Sequence, residues 1–141
     1  MAGMRTVDAG DIEQLATRAT AAMERAYAPY SRFRVGAALL GADGVIDHGC
    51  NVENAASPSG ICAERAAVAA AVTRGVREFQ AIVIVTEAES PTPPCGMCRQ
   101  VLMEFAPRLE VHSRTRGGAS ARWTMSDLLP EAFTPTSMGR R

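Results

Sequence analysis

Apolar residues at Ile12, Leu15, Ala16, Ala19, Ala22, Met23 and Ala26 recur at the spacing of one helical face. The pattern predicts a helix from Val7 or Asp8 to about Tyr27. Asp8 is its N-cap, with acidic Asp11 three residues on, and Pro29 in "APYSRF" breaks it. "VGAALLGADGVIDHGCNV" then predicts a hairpin: a strand near Val35–Leu40, a turn at Ala42-Asp43-Gly44 and a strand near Val45–Asn51. A second helix is predicted from about Cys62 to Arg74, closed by Gly75 in the left-handed conformation.

"AIVIVTE", Ala81–Glu87, is continuously apolar and β-branched, the composition of a central strand covered on both faces. After the stiff "SPTPP" loop, a third helix spans about Gly96 to Phe105. "RLEVHSR" and "ARWTMS" predict two further strands around Gly117-Gly118, and "SDLLPEAF" a short capped helical turn. Helices alternating with apolar strands predict an α/β fold, a three-layer α/β/α sandwich with a mixed sheet of about five strands. One domain accounts for residues 1–141, with a frayed tail at about 135–141.

Charge narrows the function. Fifteen basic and fifteen acidic residues give a formal net charge of zero, so no long-range field steers a polyanion and a nucleic-acid polymer is not the expected partner. Arg114, Arg116 and Arg122 read as a solvated turn and strand edge. Every basic residue is an arginine, which excludes lysine Schiff-base chemistry and the lysine-dependent phosphate loop. Only two histidines, His48 and His112, are present, in different elements. "MAGMRTVDAG" lacks a signal-peptide core, and no apolar run is long enough to span a bilayer. A cytoplasmic protein is expected, in which four cysteines serve as ligands or catalysts rather than disulfide partners.

Cys95 and Cys98 form a C-x-x-C at a helix start, compatible with a redox pair, half a zinc site or chance. Cys62 occupies the equivalent place on the preceding helix. Two helices side by side can bring these three sulfurs to one point, where helix N-termini offset thiolate charge. Cys50, at a strand end, reads as a small buried hydrophobe. If it stays out, a metal has three protein ligands and one open position, the arrangement of a catalytic site. Glu64, two residues after Cys62, is either a first-turn glutamate favoured by the helix dipole or a proton shuttle beside such a metal. Arg65 either faces solvent or donates to a ligand sulfur.

"CAE" followed by "PCGMCRQ" resembles the zinc-dependent cytidine deaminases. "YSRFRVGAALL", "NVENA" and "DLLPEAF" extend the resemblance from Tyr30 to Phe133, and "NVEN" with "YSRF" is similar to the small free-nucleoside branch. The resemblance implies that Cys62, Cys95 and Cys98 bind Zn2+ and that Glu64 shuttles protons. It implies that Phe33 packs on the pyrimidine, that Asn51 and Glu53 hold sugar hydroxyls, and that Ala63 and Phe133 also contact substrate. It further implies a homotetramer in which Phe133 approaches a neighbouring subunit's site.

The chain departs from that pattern at Ala56–Gly60, which carries no aromatic. Deamination of cytidine and deoxycytidine is therefore expected first. A modified cytosine nucleoside such as blasticidin S stands second, and a zinc-stapled interaction domain without catalysis third.

Overall fold

In the computed structural model, which describes residues 6–139, eight consecutive buried residues make the spine of the molecule. This strand, β3 (Phe79–Thr86), sits mid-sheet. β1 (Val35–Gly41) pairs antiparallel on one side and β4 (Glu110–Thr115) parallel on the other. β2 (Ile46–Cys50) and β5 (Ser120–Thr124) complete a five-stranded sheet of order β2-β1-β3-β4-β5.

Strand alternation divides the core in two. Ala38, Leu40, Ala81, Val83 and Val85 face α1 (Ala9–Met23), buried with Leu15, Ala19 and Met23. Ala37, Leu39, Ile82, Ile84 and Val111 face the other way, toward α2 (Ala63–Thr73) and α3 (Gly96–Phe105). The expected three-layer α/β/α sandwich with a mixed sheet results.

α1 begins as its sequence dictates: Asp11 N–H donates to Asp8 Oδ1 at 2.8 Å, and Asp8 N–H to Asp11 Oδ2 at 2.9 Å. It ends at Met23, four residues short of the expected Tyr27. Ala28 precedes a proline and is disfavoured in a helix. Tyr27 instead donates to Asn51 O at 3.0 Å and accepts from Glu53 N–H at 2.8 Å, so a tertiary bridge overrides the helical period. Gly75 closes α2 at φ +96°, as expected.

The short helix α4 (Met125–Leu128) starts one residue before the expected segment because Thr124 is the cap, with Asp127 completing its capping box. Pro130 prevents its continuation toward Phe133. Residues 57–59 form an unanticipated 3₁₀ turn. Pro135–Met138, expected to fray, form another, closed by Gly139 at φ 73°. The expectations for residues 1–5 and 140–141 lie outside the described residues.

Arg114 pairs with Glu13, Arg116 with Glu24, and Arg122 with Glu110, so the arginine cluster is met by carboxylates along the strand edge. No helix among the described residues is long and apolar enough to cross a membrane.

Gly36 sets the distance between α1 and the sheet. A Cβ there would lie 1.9 Å from Ala19 O and 2.6 Å from Met23 N, both rigid helix backbone. Gly36→Ala is expected to lower unfolding stability by about 3 kcal/mol or more, at the upper end of overpacking costs. Chemical denaturation measures this, and an unchanged midpoint would place α1 farther from β1 than described.

Candidate active site

Cys62 and Cys95 occupy the same position on two helices: each is the N-cap, at ψ 154° and 166°, of α2 and α3. Their sulfurs lie 3.9 Å apart, with Cys98 Sγ 3.4 Å from Cys95 Sγ and all three within 4.8 Å of one another. Tetrahedral ligation at about 2.3 Å per Zn–S bond would separate sulfurs by about 3.8 Å, so this trio fits a zinc ion. Cys50 stays outside it, and burial pushes its thiol up.

Convergence on one point is built by packing. Gly49 of β2 lets α2 lie close, since a Cβ there would meet Ala66 Cβ and Ala67 N at 2.7 Å. Arg99 of α3 donates from Nε to Pro94 O at 2.7 Å and from Nη1 to Leu128 O at 2.8 Å. It thereby fixes the residue before Cys95 to the helix Cys95 begins. Nothing in the local spacing marked this arginine.

Without a cation among them, the three thiols differ in how readily they ionise. Burial raises the Cys62 and Cys98 thiols, with neighbouring negative groups adding to the effect. Burial also works upward on Cys95, but the Cys98 amide and the adjoining thiols outweigh it and hold Cys95 below its ordinary value. Arg65 is half-buried, its Nη2 reaching Gly60 O at 3.4 Å while its buried Nε lacks a partner among the described residues. This half-buried cation lines the same cavity as Cys62 and Cys95 and favours the ionised form of Glu64.

Glu64 is buried in the first turn of α2. Burial pushes its carboxyl above the usual carboxylate range, opposed by its own amide, the Cys98 thiol and the Arg65 charge. Cys62, Ala63, Glu64, Arg65 and Cys95 line a cavity of about 710 Å³, and Phe33, Asn51 and Glu53 line the same space.

The two expected sugar-binding side chains are also structural. Asn51 Oδ1 accepts from Val35 N–H at 2.9 Å, and its Nδ2 donates to Phe33 O at 2.8 Å. Glu53 Oε1 accepts from Tyr30 N–H at 3.1 Å and Ser31 N–H at 3.0 Å, while Oε2 accepts from the Ser31 hydroxyl. Ser31 was not singled out from the sequence; the signal was a serine two residues before Phe33, the spacing of a side-chain-to-backbone turn.

Phe133 does not line this cavity. It stands 60% exposed, with its carbonyl accepting from Gln100 Nε2 at 2.8 Å. Both histidines lie elsewhere: His48 beside Arg18, and His112 beside Glu110 on β4.

Thiols gathered at paired helix starts around a buried carboxyl belong to zinc-dependent hydrolytic chemistry, a class that many folds share. Residues 10–112 match the family described as the cytidine and deoxycytidylate deaminase zinc-binding region, and the chain belongs to that family. It is 47% identical over 125 residues to a cytidine deaminase of Sporosarcina psychrophila, covering 88% of this chain and 92% of the relative. The crystal structure of cytidine deaminase from Burkholderia pseudomallei superposes with a TM-score of 0.83 at 48% identity, covering 86% of this chain and 98% of that one. A blasticidin-S deaminase of Bacillus cereus is more distant, 30% identical over 112 residues, or 74% of this chain and 79% of the relative.

Proposed function

We propose that the whole chain acts as one catalytic domain. It hydrolyses the exocyclic C–N bond of cytidine and deoxycytidine, consuming water and yielding uridine or deoxyuridine and ammonia. The observation that carries this is a buried glutamate beside three ligand sulfurs, in the cavity that also holds Phe33, Asn51 and Glu53. Zinc held by Cys62, Cys95 and Cys98 supplies Lewis acidity that lowers the pKa of a water toward 7.

The chain's own groups do the rest. Phe33 packs on the pyrimidine ring and Ala63 contacts it from the first turn of α2. The remaining N–H of Asn51 and the free lone pairs of Glu53 take sugar hydroxyls. Glu64 takes one proton of the attacking water and gives it to the ring nitrogen, then carries the second from the added hydroxyl to the departing amino nitrogen, which leaves as ammonia. Its raised affinity for a proton suits a group that must hold one between the two transfers. Water oxygen becomes the new carbonyl oxygen, so atoms balance.

Charge argues for an uncharged nucleoside. Among the described residues lining the cavity, Arg65 is the one cation, set against the carboxylates of Glu53 and Glu64, so the lining offers a substrate phosphate no cluster of positive charge. The carboxylate partners of Arg114, Arg116 and Arg122 likewise disfavour a polynucleotide substrate. A cytoplasmic role in pyrimidine salvage fits free nucleosides.

A homotetramer fits the apolar side chains left exposed at and beyond the cavity: Tyr30, Val52 and Met97 line it, and Phe133 and Met138 follow near the chain end. In the assembly Phe133 would reach a neighbouring subunit's site.

The test combines two measurements on one sample. Solution mass is expected to equal four chains, and cytosine absorbance is expected to fall with cytidine and deoxycytidine but not with blasticidin S. Turnover of blasticidin S alone would favour the second reading, to which the aromatic-free Ala56–Gly60 loop points. A fully active monomer would overturn the tetramer.

A further inference from the structure

The loop joining α1 to β1 is stitched to residues 51–53 along its length. Tyr27 pairs with Asn51 and Glu53 through backbone hydrogen bonds, and Asn51 and Glu53 then reach back with their side chains. One side chain on the loop joins both ends of this lattice. The Ser31 hydroxyl donates to Glu53 Oε2 and accepts from Phe33 N–H at 3.0 Å.

Phe33 is thereby held at both backbone groups, its N–H by Ser31 and its carbonyl by Asn51 at 2.8 Å. Between Ser31 and Phe33 the chain must pass through Arg32 at φ 57°, a left-handed conformation that favours glycine. The backbone alone does not prefer that turn, so side-chain hydrogen bonds must hold it.

We propose that Ser31 is a positioning residue for nucleoside recognition, aiming the Glu53 carboxylate and the Phe33 ring into the cavity together. The inference rests on the nucleoside reading above and adds a residue that reading did not use. A carboxylate with two oxygens and several donors can rotate. Tyr30 and Ser31 amides hold Oε1, and only the Ser31 hydroxyl is described on Oε2. Hydrogen bonding by the Ser31 hydroxyl, ahead of its amide, holds Glu53 below the usual carboxylate range and keeps it an acceptor for sugar hydroxyls.

Because Ser31 itself is exposed in the loop, its removal leaves no buried group unpaired. The contribution is preorganisation: the loop and carboxylate wait in the binding geometry instead of being ordered by each substrate.

Glu53→Ala cannot isolate this role, since it removes the sugar contact and the loop anchor at once. Ser31→Ala keeps the carboxylate and deletes only the hub, and Ser31→Thr restores a hydroxyl. The experiment measures kcat and KM for cytidine and for 2′,3′-dideoxycytidine, which lacks the 2′ and 3′ hydroxyls, together with zinc content of the intact protein.

Ser31→Ala is expected to raise KM for cytidine about tenfold, the effect of one hydrogen bond to a charged group, with kcat within about twofold. Its preference for cytidine over the dideoxy compound should shrink by a similar factor, and Ser31→Thr should stay within about threefold of wild type. Unchanged KM and preference in Ser31→Ala would overturn the proposal. So would loss of zinc or fold, or an equal loss on both substrates, because these mark a structural residue. A wild-type protein that turns over neither compound would instead remove the nucleoside reading, and one that turns over both alike would leave that reading standing but overturn this inference, because Glu53 would then hold no 2′ or 3′ hydroxyl.

Discussion

Glu64→Gln lowers turnover of cytidine by about 10²–10⁴-fold while the protein keeps its fold and its zinc, the range that a positioned proton-transfer group contributes. Glutamine matches glutamate in volume, so the buried first turn of α2 loses no packing. The residue at that position is 6% exposed, with Ala63 and Ala67 beside it at 0%. What disappears is the capacity to carry a proton. The amide cannot take one from water and cannot release one to nitrogen.

The environment sharpens the expectation. Burial disfavours the ionised carboxylate and outweighs its own amide, the Cys98 thiol and Arg65, which favour it, so the proton affinity of the group is raised. A second carboxylate lines the cavity at Glu53, but it is engaged by Tyr30 and Ser31 and cannot substitute. Zinc analysis alongside single-turnover kinetics checks the result. Turnover within about tenfold of wild type would assign the proton shuttle to another group.

Cys95→Ala loses zinc, and Cys50→Ala does not. Structural zinc sites with four ligands bind with about 10–16 kcal/mol, so one thiolate is worth about 2.5–4 kcal/mol, roughly 10²–10³-fold in affinity. A site with three protein ligands has none in reserve. Cys50 contributes nothing to the trio: it lies at the end of β2, outside the group of sulfurs within 4.8 Å, and burial disfavours its thiolate. Metal content after dialysis against a mild chelator discriminates the two variants. Zinc loss from Cys50→Ala would make the site a four-sulfur structural one and remove its open position.

These two experiments probe the part of the site that was legible in the sequence. Cys62, Glu64, Cys95 and Cys98 sit at helix starts, and a helix start is written locally: a change from loop composition to helical period, with capping residues at fixed offsets. The chemistry of a thiol trio with a nearby carboxylate is independent of what surrounds it. The same locality made the Asp8–Asp11 capping box, the Gly75 cap and the buried run of β3 readable.

The elements that departed from expectation are those whose partners lie far along the chain. α1 stops at Met23 because Tyr27 finds Asn51 and Glu53, and no local period reports a bridge across 24 or more residues. Arg65 looked equally suited to solvent or sulfur; only its half-buried position, with Nε lacking a described partner, favours the inward role. Arg99 gained a purpose when Pro94 and Leu128 came within reach of one guanidinium. Phe133 is not among the residues that line its own chain's cavity.

The sequence by itself determined the helix starts, the central strand and the ligand chemistry, because dihedral preference, capping and donor type act within a few residues. Only the tertiary structure decided that Ser31, Asn51 and Glu53 form one lattice around Phe33. Those hydrogen bonds join residues 16–22 apart, and their partners exist only once α1 and β2 have packed on the same sheet.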